Sequence, residues 1–110
     1  MLIAFATDAL RDTCNDTKAA KKAYGADGSK KLRRRLDDLA AAPNLEALRN
    51  VPGRYHELKG DLAGCLGIDL DGGRRLVIQP MPPAPTKEDG GLDWTRVTRI
   101  TVTAIKDYHD

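Results

Sequence analysis

The chain has 110 residues, 41% of them hydrophobic but only 5% aromatic, and a formal net charge of +2. That length suits one domain around one core and excludes two. No apolar run approaches the ~20 residues a membrane span needs, and Cys14 and Cys65 are too few and too far apart for a disulfide framework or a metal site.

Leu2 to Ala6 is a short apolar run that fits a first strand or the opening of a helix, and periodicity does not separate the two. Met1 to Ala6 lacks a basic leader and a long apolar stretch, so it does not read as a signal peptide. With the sparse cysteines, this predicts a reduced, cytoplasmic protein. Residues from Thr7 to Tyr24 are helix formers, with Asp8 or Asp12 near the start. Gly25-Ala26-Asp27-Gly28 predicts a break, after which Ser29 caps a second helix running to Ala42. Within it Leu32, Leu36 and Leu39 fall at i, i+4 and i+7, one buried stripe with Arg34 opposite. Arg35 borders that stripe, a place for packing or for a nearby acid. Pro43 stops the helix, and Asn44 can cap one more turn through Leu45 and Leu48.

Val51-Pro52-Gly53 opens a loop that carries Tyr55-His56-Glu57-Leu58-Lys59-Gly60-Asp61. Beyond it Leu66, Ile68 and Leu70 alternate, Asp71-Gly72-Gly73 supplies a turn, and Arg75 to Gln79 reads as the return strand of a hairpin. Met81 to Asp93 is rich in Pro, Gly and charge and predicts an exposed, partly mobile loop, with Trp94 available to anchor it. Val97 to Lys106 is β-branched and alternating, hence a strand. The order predicts an α+β fold, a small antiparallel sheet with two N-terminal helices packed on one side.

The charges are unevenly placed. Lys18, Lys21, Lys22, Lys30, Lys31, Arg33, Arg34 and Arg35 crowd the first third, whereas Asp69, Asp71, Glu88, Asp89 and Asp93 lie in the second half. A basic stretch suits a polyanion, and it equally suits a solvated helix surface. The two histidines, His56 and His109, are side chains whose ordinary pKa of about 6.5 suits proton transfer near neutrality. Each lies in a short polar motif. Brought together around Lys59 and an arginine, they form an acid, a base and a cationic clamp, the minimum for moving a phosphoryl group without a metal. A phosphate-binding glycine loop is absent: Gly64-Cys65-Leu66-Gly67 and Asp71-Gly72-Gly73 lack the spacing and the following helix.

Four strings carry a family resemblance: Lys31-Leu32-Arg33-Arg34-Arg35-Leu36, His56-Glu57-Leu58-Lys59-Gly60-Asp61, Arg74-Arg75-Leu76 and Asp107-Tyr108-His109. On these the chain resembles the RelE/ParE superfamily of toxins, nearest the HigB plasmid-maintenance-killer branch. The resemblance implies one RelE-like domain with an inserted loop at about 81–94. It also implies a type II toxin, a ribosome-dependent mRNA endonuclease without metal or cofactor, neutralised by a cognate helix-turn-helix antitoxin. Its partners would be that antitoxin and the ribosome with its mRNA, not a membrane. His56, Lys59, Arg75, Asp107, Tyr108 and His109 would form the catalytic set. The two histidines would act as general base and general acid, in either order, as the ribose 2′-OH attacks the adjacent phosphorus. Lys59 and Arg75 would hold the scissile phosphate, and Tyr108 would stack on a base or assist proton transfer. Asp107 would orient a histidine or carry a proton. Lys30, Lys31, Arg33, Arg34 and Arg74 would bind further RNA phosphates. Arg74 stands where a tryptophan is common in the family, and Gly64-Cys65-Leu66 replaces an aromatic pair. Two other readings keep the fold: action by protein contact, as the ParE branch acts on DNA gyrase, or a silenced relative that only binds antitoxin. The histidines with Lys59 and Arg75 favour the nuclease.

Overall fold

A strand, a pair of helices and a run of strands follow one another in the computed structural model, which describes residues 1–107. β1 (Leu2–Phe5) leads into α1 (Asp8–Asn15) and α2 (Thr17–Ala41). Then come β2 (His56–Glu57), β3 (Leu66–Asp69), β4 (Arg74–Pro80) and β5 (Arg99–Asp107). Among the described residues these strands form one sheet, in the order β1-β5-β4-β3-β2. From β2 to β5 each strand lies antiparallel to the next. The expected small antiparallel sheet is thus present, and β1 extends it at the far edge in parallel to β5, with Leu2 opposite Arg99 and Phe5 opposite Val102. The helix pair carries the chain from that edge to the other, and the returning meander sets β5 down beside β1 in the same direction.

The helix boundaries also differ from expectation. The chain breaks at Asp16, whose carboxylate accepts from the Lys18 and Ala19 amides and so caps α2, as Thr7 caps α1 through Leu10. The expected break is present but confined to Gly25, whose non-helical backbone (φ +78°, ψ 176°) divides α2 into two helices joined at a kink, a conformation that costs other L-residues about 1–3 kcal/mol. Because the helix resumes at once, Ser29 is a buried interior residue and not a cap. At the far end the Met1 ammonium donates to the carbonyls of Leu39, Ala40 and Ala42 at 3.1, 3.0 and 2.7 Å. A positive charge suits that end of the helix dipole.

Leu32, Leu36 and Leu39 are the buried stripe their spacing predicts, and they share one core with Leu66, Ile68, Leu76, Ile78, Ile100 and Val102 of the sheet. Alternation places those strand residues on one face, so the helices cover that face. β5 keeps its apolar residues aligned through a bulge. Val77 pairs with Ala104 but Ile78 pairs with Val102, leaving Thr103 as the extra residue, and its hydroxyl donates to the Val77 carbonyl at 3.2 Å. Val102 and Ile105, three positions apart, thereby both meet the helix side.

The loop from Met81 to Asp93 is irregular and largely exposed, as expected, yet its own bonds close it. Thr86 bridges Leu92, Lys87 donates to the Gly91 carbonyl at 2.7 Å, and Asp93 donates to Pro85 at 2.9 Å. Trp94 anchors its end in the core, its indole N–H reaching Glu57 at 3.2 Å while Arg49 covers the ring at 4.0 Å. Among the described residues no helix is long and apolar enough to cross a membrane.

Two substitutions test this packing. Leu39→Ala removes a side chain with no exposed area and should cost about 2–5 kcal/mol in urea unfolding; a loss under ~1 kcal/mol would contradict its place in the core. Tyr55 is buried with its hydroxyl unpartnered among the described residues, and burial, aided by Asp38, pushes its pKa up to about 12. Tyr55→Phe should therefore leave stability unchanged or raise it by up to about 1–3 kcal/mol, and a clear loss would show that the hydroxyl is bonded.

Candidate active site

The sheet has a second face, and alternation decides what stands on it. Leu66 and Ile68 of β3 and Leu76 and Ile78 of β4 turn to the helices, so Gly67, Asp69, Arg75 and Val77 turn away. In register Asp69 faces Arg75, and Arg75 faces Lys106, giving one polar row across three strands. The adjoining row runs His56, Gly67, Val77, Ala104. Its small residues leave room for the imidazole. A Cβ on Gly67 would lie 3.2 Å from both His56 Cε1 and Leu58 Cδ2, so the ring rests directly over the glycine. The expected loop at His56 is thus an edge strand of two residues, which sets the histidine on the sheet itself.

The turn before β2 supplies the remaining polar groups. Gly53, at φ +126°, is pressed against the helix layer: an added Cβ would come within 2.9 Å of Arg35 Nε and of Ile68 Cγ2. Arg54 follows at φ +52°, the one non-glycine residue in the left-handed region among those described. Its carbonyl oxygen lies 2.7 Å from His56 Nδ1. Its guanidinium grips Asp69 with two bonds, Nε to Oδ2 at 2.8 Å and the terminal nitrogen to Oδ1 at 3.1 Å. Arg75 Nε stands 3.5 Å from the same carboxylate. The Asp69 main chain is equally engaged. Its N–H donates to the Gly53 carbonyl at 2.6 Å, and its carbonyl accepts from Nε of the buried Arg35 at 3.0 Å. The Arg54 hydrogen bond holds the Asp69 carboxyl below the usual carboxylate range against the opposing effect of burial, with Arg75 and His56 adding smaller pulls in the same direction. Arg54, Asp69, Leu70, Gly73, Arg74 and Arg75 line a cleft of about 350 Å³.

Of the residues singled out in the sequence, His56 and Arg75 meet on this face with Asp69 between them. Lys59 lies just past β2, exposed, at the start of the turn Gly60–Leu62. Arg74 also lines the cleft, but its guanidinium turns to the helix side, where it donates to the Tyr24 carbonyl, meets Asp71 at 3.4 Å and lies 5.3 Å from the Tyr24 ring centre. Gly28 makes that contact possible, since a Cβ there would fall 2.8 Å from Tyr24 Cβ and 3.0 Å from Asp71 Oδ1. Lys30, Lys31, Arg33 and Arg34 are exposed on α2, in the layer behind the sheet. Arg33 bonds Asp37 at 3.0 Å and the Cys14 carbonyl at 3.2 Å, and Arg34 lies 4.0 Å from Asp38. Asp107 ends β5 opposite Arg74. Tyr108 and His109 lie outside the described residues.

Arg54, Asp69 and Lys106 are additions that the sequence did not single out. The alternation of Leu66, Ile68 and Leu70 already turns Asp69 outward, whereas Lys106 requires the bulge and Arg54 a backbone that arginine does not advertise. Together the face offers an imidazole beside a carboxylate held by two guanidinium groups, able to exchange protons and to neutralise an anion. Among the described residues no group of three or more His, Cys, Asp or Glu is arranged to hold a metal ion.

No family model and no curated protein sequence matches the chain. In fold it is similar to a YoeB/ParE toxin from Agrobacterium tumefaciens, at 15% identity and a TM-score of 0.58 over 99% of this chain and 100% of that one. It is also similar to a YoeB-YefM complex from Staphylococcus aureus, at 19% identity and a TM-score of 0.56 over 100% of this chain and 99% of that one. The likeness is one of fold, extending over the whole length of each.

The ionisation of Asp69 gives the site a pH signature. A carboxyl whose folded pKa lies below its unfolded value of about 3.9 stabilises the fold above that value, and the contribution is lost as pH falls through the folded pKa. Wild type should therefore exceed Asp69→Asn in urea stability at neutral pH, the difference closing as pH drops below the carboxylate range. A difference that persists in acid would rule out the ion pairs as its source.

Proposed function

We propose that this chain, built on the fold of the YoeB and ParE toxins, is the toxin of a type II toxin–antitoxin pair, nearest the HigB branch. It cuts mRNA on the ribosome by metal-independent attack of the ribose 2′-OH on the adjacent phosphorus. The observation that carries this reading is the placement of His56 and Arg75 on one open sheet face, beside a cleft that Arg75 lines. Cleavage requires a proton to leave the 2′-OH, charge on the phosphate to be neutralised, and a proton to reach the departing 5′-oxygen. His56 serves one of the two proton transfers. Arg75, a planar donor, suits two phosphate oxygens at once. Lys59 adds a second cation, and Asp107, Tyr108 and His109 complete the set with the other imidazole.

Lys30, Lys31, Arg33 and Arg34 stand on α2, in the layer behind the sheet from His56, so they meet phosphates other than the scissile one, while Arg74 adds a cation to the cleft that Arg75 lines. A ribosome, which presents RNA on more than one side of a small bound protein, fits that division better than a free strand. The YefM partner of the similar staphylococcal structure supports a cognate antitoxin for this chain, of the helix-turn-helix type that the sequence resemblance implies. The site of action is the cytoplasm.

Induced expression with mapping of mRNA 5′ ends tests this reading. Wild type should arrest growth and produce new ends in codon register. His56→Ala, Arg75→Ala and His109→Ala should each reduce those ends by roughly 10²–10⁴-fold. Arrest without new ends, unchanged by the substitutions, would overturn the nuclease in favour of action by protein contact.

A further inference from the structure

We propose that Arg54 is a positioning residue for His56: its left-handed backbone aims its carbonyl at Nδ1, so the neutral imidazole carries its proton on Nδ1 and offers Nε2 as the proton acceptor. The inference rests on His56 being a proton-transfer group, and it deepens that reading by selecting the direction of transfer. A carbonyl oxygen only accepts, so a nitrogen 2.7 Å away must donate. With Nδ1 the donor, Nε2 of the neutral ring holds the lone pair. His56 then enters the reaction as the base, and the acid comes from another group.

The conformation that makes this contact is held from several directions. Glycine or asparagine adopts φ +52° more readily than arginine, so the side chain must serve a purpose that the backbone alone does not. That purpose is visible in its two bonds to Asp69. Asp69 in turn is fixed by the Gly53 carbonyl and by buried Arg35, while the following residue, Tyr55, is locked in the core. The peptide joining residues 54 and 55 has little freedom to rotate, and its oxygen stays on the imidazole.

Nitrogen NMR of the two histidine rings in the full-length, labelled protein reads the proton directly. On the alkaline plateau of its nitrogen shifts, where the ring is neutral, His56 should show a protonated Nδ1 and an unprotonated Nε2, with His109→Ala used to assign the signals. Arg54→Ala and Asp69→Asn should each shift population toward the Nε2-protonated form, and Arg54→Lys, which keeps one contact to Asp69, should fall between. A wild-type ring protonated on Nε2 would overturn the proposal without any variant needing to fold. So would an unchanged ring in both Arg54→Ala and Asp69→Asn. If the predicted tautomer is found but no RNA is cut, the nuclease reading fails and the positioning stands. If RNA is cut while the tautomer is the other one, the positioning alone fails.

Discussion

Arg35 is buried in the helix layer and donates from Nε to the carbonyl of Asp69 at 3.0 Å, so a charged side chain crosses the core to hold the end of β3. Burying a guanidinium without hydrogen bonds is costly, and here a fixed main-chain oxygen receives it. The position of Asp69 is then passed on in three directions. Its amide fixes the Gly53 carbonyl, its carboxylate fixes Arg54, and the same carboxylate faces Arg75 on β4. Helix layer, turn and sheet thus share one frame, and Gly53 is required because a side chain there would strike Arg35. The face that carries His56 and Arg75 is tied through the sheet to the helices behind it.

Alternation then sorts the chemistry. Arg74 and Arg75 are neighbours in sequence, yet one stacks near Tyr24 on the helix side and the other faces Asp69 on the open side. The helix-side face takes the leucines and isoleucines of β3 and β4 with Ile100 and Val102 of β5, whereas Val77 is buried on the other face. The other face keeps Gly67 beside the imidazole of His56 and sets Asp69, Arg75 and Lys106 in the neighbouring row. The basic residues of α2 stand behind this arrangement, so positive charge lies on both sides of the sheet although the net charge is only +2.

Much of this was legible in the chain. The i, i+4, i+7 leucines, the alternation of Leu66, Ile68 and Leu70 and the Asp71-Gly72-Gly73 turn are local signals, and local signals survive folding. The break at Gly25 was legible too, but its extent was not: the helix resumes at once, so Gly28 and Ser29 are interior residues of α2. Asp16 was the missed cap, hidden within a run that favours helix on both sides. β2 is too short to show a period, and the parallel pairing of β1 with β5 joins residues almost the whole chain apart. In the site, His56 and Arg75 stood out by chemistry and by the family strings. Asp69 needed the parity of its strand, and Arg54 left no trace, since nothing in an arginine side chain announces a left-handed backbone.

The unpaired Thr103 gives β5 one position where its length is negotiable. A one-codon deletion there would straighten the strand and leave Ile105 opposite Leu76 and Lys106 opposite Arg75. The same deletion at Lys106 would slide Asp107 into that place and set an acid where a base had been. Length change thus leaves the register beside the site intact at one point of this strand and, three residues later, is equivalent to a charge reversal there.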